Sequence, residues 1–247
     1  MQPSQIQPRP TGTASVTLCM ARLQDISVAD TLALLSASEL ERARRITHQE
    51  SWLHFVTTRG LLRLMLGHCT GSPPGSVALA DGGEVAPRLV NNPDRLHFNV
   101  SHSADWVCVA IGRSELGVDI ERILTDCDWE TIAETFFHPK ERELLRTARL
   151  EARRETFFEI WTRKEAYLKG IGLGLSGDPS SFNTASLDGA VAIEGPAASG
   201  RKWYTLPISA PAGYKAALAS GTLPLAITRV DLATVVQNVS CPLAQRA

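Results

Sequence analysis

The chain has 247 residues, of which 44% are hydrophobic and 21% are charged, and its formal net charge is −1. This composition is typical of an ordinary globular protein. A net charge so close to zero excludes a global attraction to nucleic acid or to an anionic membrane, so we expect any anion-binding site to be local. No segment approaches the roughly 18–20 apolar residues that a membrane span requires.

The amino-terminal segment and the cysteines bear on the cellular compartment. Residues 1–14 are polar and rich in proline and lack the apolar core of a secretory signal, so we expect a flexible leader. The five cysteines are odd in number and include no Cys-x-x-Cys pair, which argues against a disulfide framework or a zinc site. We therefore expect a cytoplasmic protein.

Hydrophobic periodicity predicts a strand, two helices and a hairpin in the first half of the chain. The predicted elements are a strand over 15–21, helices over 39–46 and 47–67, and hairpin strands over 96–100 and 106–111. Ser36 and Glu39 form the capping-box pattern that begins the first helix. Arg42, Arg59 and Arg63 lie on these helices. Such arginines either solvate a helix face or bind phosphate, and the residues alone leave both interpretations open.

Residues 116–121 are predicted to form a short strand that carries two acids. Asp119 and Glu121 are two positions apart, so they point to the same side of the strand, while Val118 and Ile120 face a core. Two carboxylates held in this way repel each other unless a cation lies between them, and a divalent cation with oxygen ligands satisfies both. The alternative is a strand end with two solvated acids.

Three helices and then several strands are predicted in the second half of the chain. The helices cover 126–137, 139–149 and 153–169, and the strands cover 190–194, 203–208, 214–219 and 225–230. In the third helix, Trp161, Glu165 and Lys169 lie one turn apart on one face. The simplest interpretation of Glu165 and Lys169 is a surface ion pair. The alternative is that Glu165 joins Asp119 and Glu121 in one site.

Three carboxylates, completed by water and substrate phosphates, make a reasonable Mg²⁺ site because this ion prefers hard oxygen ligands. Histidine, lysine and arginine side chains nearby would supply positive charge for anionic oxygens. The combination indicates metal-assisted phosphoryl or nucleotide-type chemistry. Two other classes stay open: a non-catalytic module that binds coenzyme A or a nucleotide, and a metal-dependent phosphatase that uses Asp119 and Glu121.

The chain resembles the 4′-phosphopantetheinyl transferase family from about Ser15 to Ala219, and five segments carry this resemblance. LGVDIER, followed about forty residues later by WTRKEAYLKGIGLGL, is similar to the two signature motifs of the family. FNVSHS, FFHPKERELL and GYKAALA are similar to segments of the larger, two-lobed type, which activates peptide and polyketide synthases. The paired motifs at this spacing are more specific than either motif alone.

The resemblance implies transfer of 4′-phosphopantetheine from coenzyme A to a serine of an apo carrier protein, with release of adenosine 3′,5′-bisphosphate. It further implies a Mg²⁺ cofactor, with Mn²⁺ as the alternative, and no covalent enzyme intermediate. Asp119, Glu121 and Glu165 match the metal ligands, and Glu165 matches the base. Lys169 matches the lysine on the pyrophosphate and completes a catalytic set with Asp119 and Glu165. Further contacts to coenzyme A would come from Arg42, Arg59, Arg88, Ser101, His102 and Lys164.

The sequence departs from the family pattern at two basic positions. Ala86 stands where the family often has a lysine that contacts the nucleotide, and Arg88 is the nearest cation that could compensate. Glu39 stands at a basic position of the first helix. Binding of the 3′-phosphate would therefore depend on fewer cations.

The carrier protein must dock beside the metal site. The segment that follows the Asp119–Glu121 strand offers apolar side chains for this contact. We predict that Leu124 and Trp129 contact the carrier, and that Phe136 and Phe137 are core residues.

The architecture expected is α+β, with two pseudo-symmetric lobes that each pack a small antiparallel sheet on a long helix. The amino-terminal lobe would cover 15–114 and the carboxy-terminal lobe 115–247, with the active-site cleft between them. A weak internal repeat, Thr58-Arg59 and Thr162-Arg163, agrees with duplicated lobes. We expect a monomer whose partners are coenzyme A and an acyl or peptidyl carrier protein, without nucleic acid or membrane.

Overall fold

The computed structural model describes residues 14–82, 85–90, 92–185, 189–193, 201–223 and 225–240. Its helices are α1 Val28–Leu34, α2 Ala37–Arg45, α3 Gln49–Thr70, α4 Trp129–Phe136, α5 Pro139–Thr147, α6 Arg153–Gly170 and α7 Leu232–Ser240. Its strands are β1 Ala14–Arg22, β2 Leu79–Gly82, β3 Val85–Leu89, β4 His97–Ser103, β5 Trp106–Gly112, β6 Leu116–Arg122, β7 Val191–Ala192, β8 Tyr204–Pro207, β9 Tyr214–Ser220 and β10 Leu225–Arg229. Except for Ala14, the expected leader lies outside the described residues.

Two four-stranded sheets organise the fold. The first has the order β10-β1-β5-β4, and the second has the order β6-β9-β8-β7. Pairing is antiparallel in both sheets, except that β1 and β10 run parallel. Strands β2 and β3 form a separate antiparallel pair. Within the described ranges, no helix combines the length and the apolar character needed to cross a membrane.

Each sheet packs on one long helix, as predicted for an α+β protein with two lobes. Helix α3 has 22 residues and buries Leu61 and Met65 against Val107 and Val109 of the first sheet. Helix α6 has 18 residues and packs on Ala217 and other small residues of the second sheet. The sheet-and-helix architecture is therefore confirmed.

The remaining faces of the two sheets pack on each other and form a shared core. Val16 and Leu18 of β1 meet Val118 and Ile120 of β6 in one buried cluster. The alternation of β6 explains this contact, because Val118 and Ile120 point to the lobe interface while Asp119 points the other way, toward α6. The fold thus places the acidic face of β6 directly under α6.

The expected lobe boundary is wrong at its far end. Strand β10 was assigned to the carboxy-terminal lobe, but it pairs with β1 in the amino-terminal sheet, and Val235 of α7 is buried in the core under α3. An unpaired β1 edge would expose a row of backbone donors and acceptors, and β10 satisfies that edge. The alternating pattern of 225–230 predicted a strand but carried no information on its partner.

Candidate active site

Helix α6 approaches strand β6 more closely than any side chain on Gly117 would permit. A Cβ atom at Gly117 would overlap the carbonyl oxygen of Ala166 and the backbone nitrogen of Gly170. Glycine removes this obstacle because it has no Cβ. The last turns of α6 consequently lie over the side of β6 that carries Asp119.

Asp119 is the buried centre of the site, with an exposed fraction of 1%. Its Oδ1 accepts hydrogen bonds from Lys169 Nζ at 2.6 Å and from Ser101 Oγ at 2.8 Å. Lys169 also donates to Ser101 Oγ at 2.8 Å, so the three side chains form a closed triangle. Burial raises the pKa of Asp119, and Lys169 and Ser101 act in the opposite direction.

Glu121 and Glu165 lie close enough to Asp119 for its charge to raise their pKa values. Burial, and then the Asp119 carboxylate, raise the pKa of Glu121 to about 7, although Ser103 donates to its Oε2 at 2.6 Å. Burial and then Asp119 also raise the pKa of Glu165, while Lys169 opposes that rise. The structure therefore brings the three predicted carboxylates into one electrostatic neighbourhood, with Lys169 among them.

The fit of a divalent cation to this site can be tested on individual oxygens. Asp119 Oδ2 is buried and has no hydrogen-bond partner among the described residues. Buried polar atoms normally have a partner, so this oxygen is a suitable ligand for a cation. The described side chains do not, however, form a ready cluster of three or more His, Cys, Asp or Glu ligands. The donor chemistry fits Mg²⁺, but the carboxylates must move closer or share water to complete its coordination.

A cavity of about 410 Å³ opens beside this carboxylate cluster, between α3 and β4. Its lining includes Ser51, His54, Phe55, Arg59, Phe98 and His102. The His54 and His102 rings meet edge to face, with their centroids 5.0 Å apart. Desolvation by the cleft wall, then His54 and Lys169, lower the pKa of His102. His102 thus links the cavity to the Lys169 end of the site.

The arginines predicted for coenzyme A have different surroundings. Arg59 lies on the cavity wall, 3.5 Å from Glu39 Oε1, and Arg42 is exposed with its guanidinium 5.3 Å from the Phe55 ring centroid. Arg63 is buried instead and donates to Glu39 Oε2 at 2.7 Å, so it holds the fold together. Glu39 is the buried partner of Arg59 and Arg63, which explains an acid at this position.

Arg88 lies on β3 with an exposed side chain, two positions after Ala86. Its neighbour Pro87 lines the cavity, whereas Arg88 is not among the described lining residues, so its predicted contact with coenzyme A stays a prediction. The side chain of Ala86 lies outside the described residues, so its effect on nucleotide binding stays a prediction.

The predicted role of Lys164 in binding coenzyme A is wrong. Its side chain is completely buried on the side of α6 that faces α5, and its Nζ lies 2.7 Å from Glu141 Oε2. The ammonium group also donates to the carbonyl oxygens of Pro179 at 2.6 Å and Phe182 at 2.8 Å. Lys164 precedes Glu165 by one residue, and one residue turns a helix by about 100 degrees, which carries Lys164 away from the cleft.

The predicted carrier contacts differ in exposure. Leu124, just beyond β6, is 37% exposed. Trp129 is half-buried and packs on Phe157, so most of its ring belongs to the core. Phe137 is a core residue as predicted, but Phe136 is 40% exposed and lies edge to face with Trp161, so its assignment to the core is wrong. Leu124 and Phe136 are therefore the large apolar side chains exposed in this region.

Sequence reasoning missed Ser103 and Gly117 as site residues. Ser103 orients Glu121, and Gly117 admits the close approach of α6. A signal for Ser103 was present, since it follows Ser101 at the strand period of two and therefore shares its face. No local pattern marks Gly117, because its role depends on a helix fifty residues away.

Comparison with known proteins identifies a family whose model covers this site. A model of the family described as "4′-phosphopantetheinyl transferase superfamily" matches residues 115–219, which include β6, α6 and all three carboxylates. The 4′-phosphopantetheinyl transferase HetI of Nostoc sp. is 37% identical over 159 residues, covering 63% of this chain and 65% of the relative. The chain thus spans just under two thirds of the length of that relative.

Two relatives from Bacillus subtilis agree. A 4′-phosphopantetheinyl transferase is 31% identical over 166 residues, which cover 67% of this chain and 73% of the relative. The 4′-phosphopantetheinyl transferase Sfp is 29% identical over 188 residues, covering 76% of this chain and 82% of the relative. The matching family model, the identities and the convergence of the motif residues lead to one conclusion: this chain belongs to the 4′-phosphopantetheinyl transferase superfamily.

Proposed function

We propose that this protein transfers the 4′-phosphopantetheine group of coenzyme A to a serine hydroxyl of an apo carrier protein and releases adenosine 3′,5′-bisphosphate. The observation that carries the proposal is the convergence of Lys169 with Asp119, Glu121 and Glu165 beside the cavity that His102 lines. The names of the relatives support the same assignment.

Coenzyme A would lie with its nucleotide in the cavity and its pyrophosphate at Lys169. The aromatic wall formed by Phe55 and Phe98 suits a purine ring, and Arg59 on the same wall suits a phosphate. Lys169 and His102 would bind the pyrophosphate, and the support for this is that His102 lines the cavity and lies close enough to Lys169 for the ammonium group to lower its pKa. The pantetheine arm would then lead away from α3, toward the carrier.

A Mg²⁺ or Mn²⁺ ion held by Asp119, Glu121 and Glu165 would neutralise the pyrophosphate and stabilise the charge that develops on its oxygens. Oδ2 of Asp119 is buried and has no hydrogen-bond partner within the described ranges, which supports this ligand set. Ser101 and Lys169 occupy Oδ1 of the same carboxylate and leave Oδ2 for the ion.

In the transfer step, the serine oxygen of the carrier attacks the phosphorus that bears the pantetheine arm, and the bond from that phosphorus to the departing nucleotide breaks. Glu165 accepts the serine proton, directly or through one water molecule, and its raised pKa makes it a stronger base than a solvated glutamate. Lys169 stabilises the negative charge on the leaving nucleotide. Because the nucleophile belongs to the carrier, transfer is direct and forms no covalent enzyme intermediate.

The carrier would dock on the exposed apolar side chains next to α6, and the protein would act as a monomer. Leu124 follows β6 by two residues, Phe136 contacts Trp161 of α6, and both side chains are exposed and so available to a partner. The broad faces of both sheets are already covered by long helices and by each other. The two lobes therefore form the cleft within one chain.

The test is intact-mass spectrometry of an apo carrier protein incubated with this protein, coenzyme A and Mg²⁺. The expected result is a gain of one phosphopantetheine on the carrier and an equal amount of adenosine 3′,5′-bisphosphate, both lost on addition of EDTA. The mass of the enzyme itself should not change, and an adduct on the enzyme would contradict direct transfer. Tight coenzyme A binding without modification of any carrier would indicate a binding module, and release of inorganic phosphate alone would indicate a phosphatase.

A further inference from the structure

Strands β4 and β6 lie side by side at the junction of the lobes but belong to different sheets. Side chains of β4 replace the missing backbone pairing. The backbone N–H groups of β6 donate to these side chains: Val118 to Asn99 Oδ1 at 3.1 Å, Ile120 to Ser101 Oγ at 3.4 Å and Arg122 to Ser103 Oγ at 3.1 Å. Asn99, Ser101 and Ser103 are spaced by two and share one face of β4, which gives the seam three regular rungs.

The two serine rungs do more than join the lobes. Each hydroxyl accepts from a backbone N–H of β6 and donates its own hydrogen to the carboxylate one residue earlier: Ser101 to Asp119 Oδ1 at 2.8 Å, and Ser103 to Glu121 Oε2 at 2.6 Å. Since a hydroxyl has one hydrogen, the backbone contact fixes the oxygen and the carboxylate receives the hydrogen. Each carboxylate therefore accepts a serine hydrogen bond on one of its two oxygens.

The serine hydrogen bonds leave one oxygen of each carboxylate for another ligand. Oδ2 of Asp119 has no hydrogen-bond partner in the described part of the chain, and the described hydrogen bond to Glu121 engages only Oε2. We propose that Ser103 is a positioning residue for the metal site: it holds the Glu121 side chain so that Oε1 is presented to the divalent cation, as Ser101 does for Asp119. The proposal rests on the proposed function, because it assigns Ser103 to the ion required by that function.

Ser103 is suited to this role because Glu121 has more freedom than Asp119. A glutamate has three side-chain torsions and needs an external anchor to hold one orientation, whereas Asp119 is shorter, buried and also tied to Lys169. Partners that orient metal ligands typically change metal affinity or activity by about 10- to 100-fold when they are removed. Ser103→Ala should therefore weaken the binding of the ion while leaving the coenzyme A site intact.

The experiment is a titration of the full-length protein with Mn²⁺ in the absence of coenzyme A, followed by electron paramagnetic resonance of the free ion. Ser103→Ala should bind Mn²⁺ about tenfold or more weakly than the wild type. Ser103→Thr retains the hydroxyl and should restore most of the affinity. Asn99→Ala removes the rung that touches no carboxylate, so its Mn²⁺ affinity should match the wild type even if its melting temperature falls.

A double-mutant cycle separates positioning from a general loosening of the seam. In a Glu121→Gln background, Ser103→Ala should cause no further loss of Mn²⁺ affinity, because the group it orients is no longer a carboxylate. Wild-type affinity in Ser103→Ala, or an equal loss in Asn99→Ala, would overturn the proposal. If Ser103→Ala does not fold, Ser103→Cys provides the same comparison with a weaker donor. Failure of the wild type to modify any carrier, with Mn²⁺ binding still dependent on Ser103, would contradict the proposed function and leave the role of Ser103 standing.

Discussion

Glu165 and Lys164 are neighbours in the sequence, but their side chains lie in different surroundings. Glu165 faces the carboxylate site, whereas Lys164 lies buried against Glu141 and ties α6 to α5 and to the carbonyl oxygens near Phe182. Because both carry charge, composition alone could not separate them. Their positions on the helix distinguish the two residues. The burial of Lys164 indicates a structural rather than a ligand-binding role.

Lys164→Met should destabilise the protein without a specific effect on coenzyme A. Removal of one partner of a buried ion pair typically costs about 3–5 kcal/mol, because the other charge stays buried without its counterion. Urea denaturation measures this loss, and Lys140→Met, on the exposed face of α5, is the control. A normal stability combined with a higher KM for coenzyme A would restore Lys164 to the binding site.

The raised pKa values of the three carboxyl groups predict a pH-dependent stability. The pKa of Glu121 rises from 4.5 to about 7, so between these values the folded protein binds a proton that the unfolded chain has released. This contribution is fully present below about pH 4.5 and is lost as the pH rises through 7. Asp119 and Glu165 shift in the same direction.

Mg²⁺ should therefore raise the melting temperature more at about pH 8 than at about pH 5.5, because the ion replaces protons that the carboxylates have lost. Differential scanning calorimetry with Mg²⁺ and with EDTA measures the effect. Glu121→Gln should reduce the difference between the two pH values. An equal Mg²⁺ effect at both pH values in the wild type would mean that the carboxylates do not bind the ion.

Among helices and strands, the contact between α6 and β6 decides whether the site exists. Most of these elements could be predicted from the sequence, because α6 has an aromatic stripe that ends at a glycine and β6 alternates acids with Val118 and Ile120. Their close approach could not be predicted, since it depends on the absence of a side chain at Gly117. A glycine inside a strand pattern has several possible causes, and only the packed neighbour identifies the one that applies.

Gly117→Ala should separate α6 from β6 and abolish the hydrogen bond between Lys169 and Asp119. The added methyl group overlaps backbone atoms of Ala166 and Gly170, which cannot rotate away, so we expect a loss of roughly 1–3 kcal/mol in the free energy of unfolding together with most of the activity. Gly75→Ala is the control, because the nearest atom to its Cβ is 4.0 Å away. Activity and stability like those of the wild type would show that the contact is not required.

The segment between β6 and α4 is the expected docking surface for the carrier. Leu124→Asp places a charge on an exposed apolar position and should raise the KM for the carrier roughly tenfold, equivalent to about 1.4 kcal/mol, with the KM for coenzyme A unchanged. Steady-state kinetics with each substrate varied in turn separates the two values. Leu150→Asp, at a 77% exposed leucine before α6, is the control. Equal rises in both KM values would place Leu124 in the coenzyme A site instead.

Across the complete fold, the two lobes depend on each other. Their sheets share a buried core, β10 returns from the second lobe to pair with β1 of the first sheet, and the β4–β6 seam carries Ser101 and Ser103, which donate to Asp119 and Glu121. The sequence indicated two lobes and a cleft, because the acids and the basic groups lie on separate elements with similar patterns. It could not indicate the face-to-face packing, since alternation identifies a buried face but not the surface that covers it.

The candidate active site lies at a junction that neither lobe could build alone. Asp119 and Glu121 come from β6, Glu165 and Lys169 from α6, and the hydroxyl of Ser101 from the other lobe. Of these, Glu165 is the group expected both to bind the ion and to remove the serine proton.

The decisive measurement is the rate of phosphopantetheine transfer in Glu165→Gln, compared with that in Glu155→Gln on the exposed face of the same helix. Single-turnover mass spectrometry with saturating coenzyme A, carrier and Mg²⁺ should show a loss of at least about 10²-fold for Glu165→Gln, since general-base catalysis alone contributes about 10²–10⁴-fold. Glu155→Gln should retain the wild-type rate, because the Glu155 side chain is 62% exposed and its described ion pair is with Lys215 rather than with a carboxylate-site residue. Transfer by Glu165→Gln at the wild-type rate would show that Glu165 is neither the base nor a required ligand of the ion.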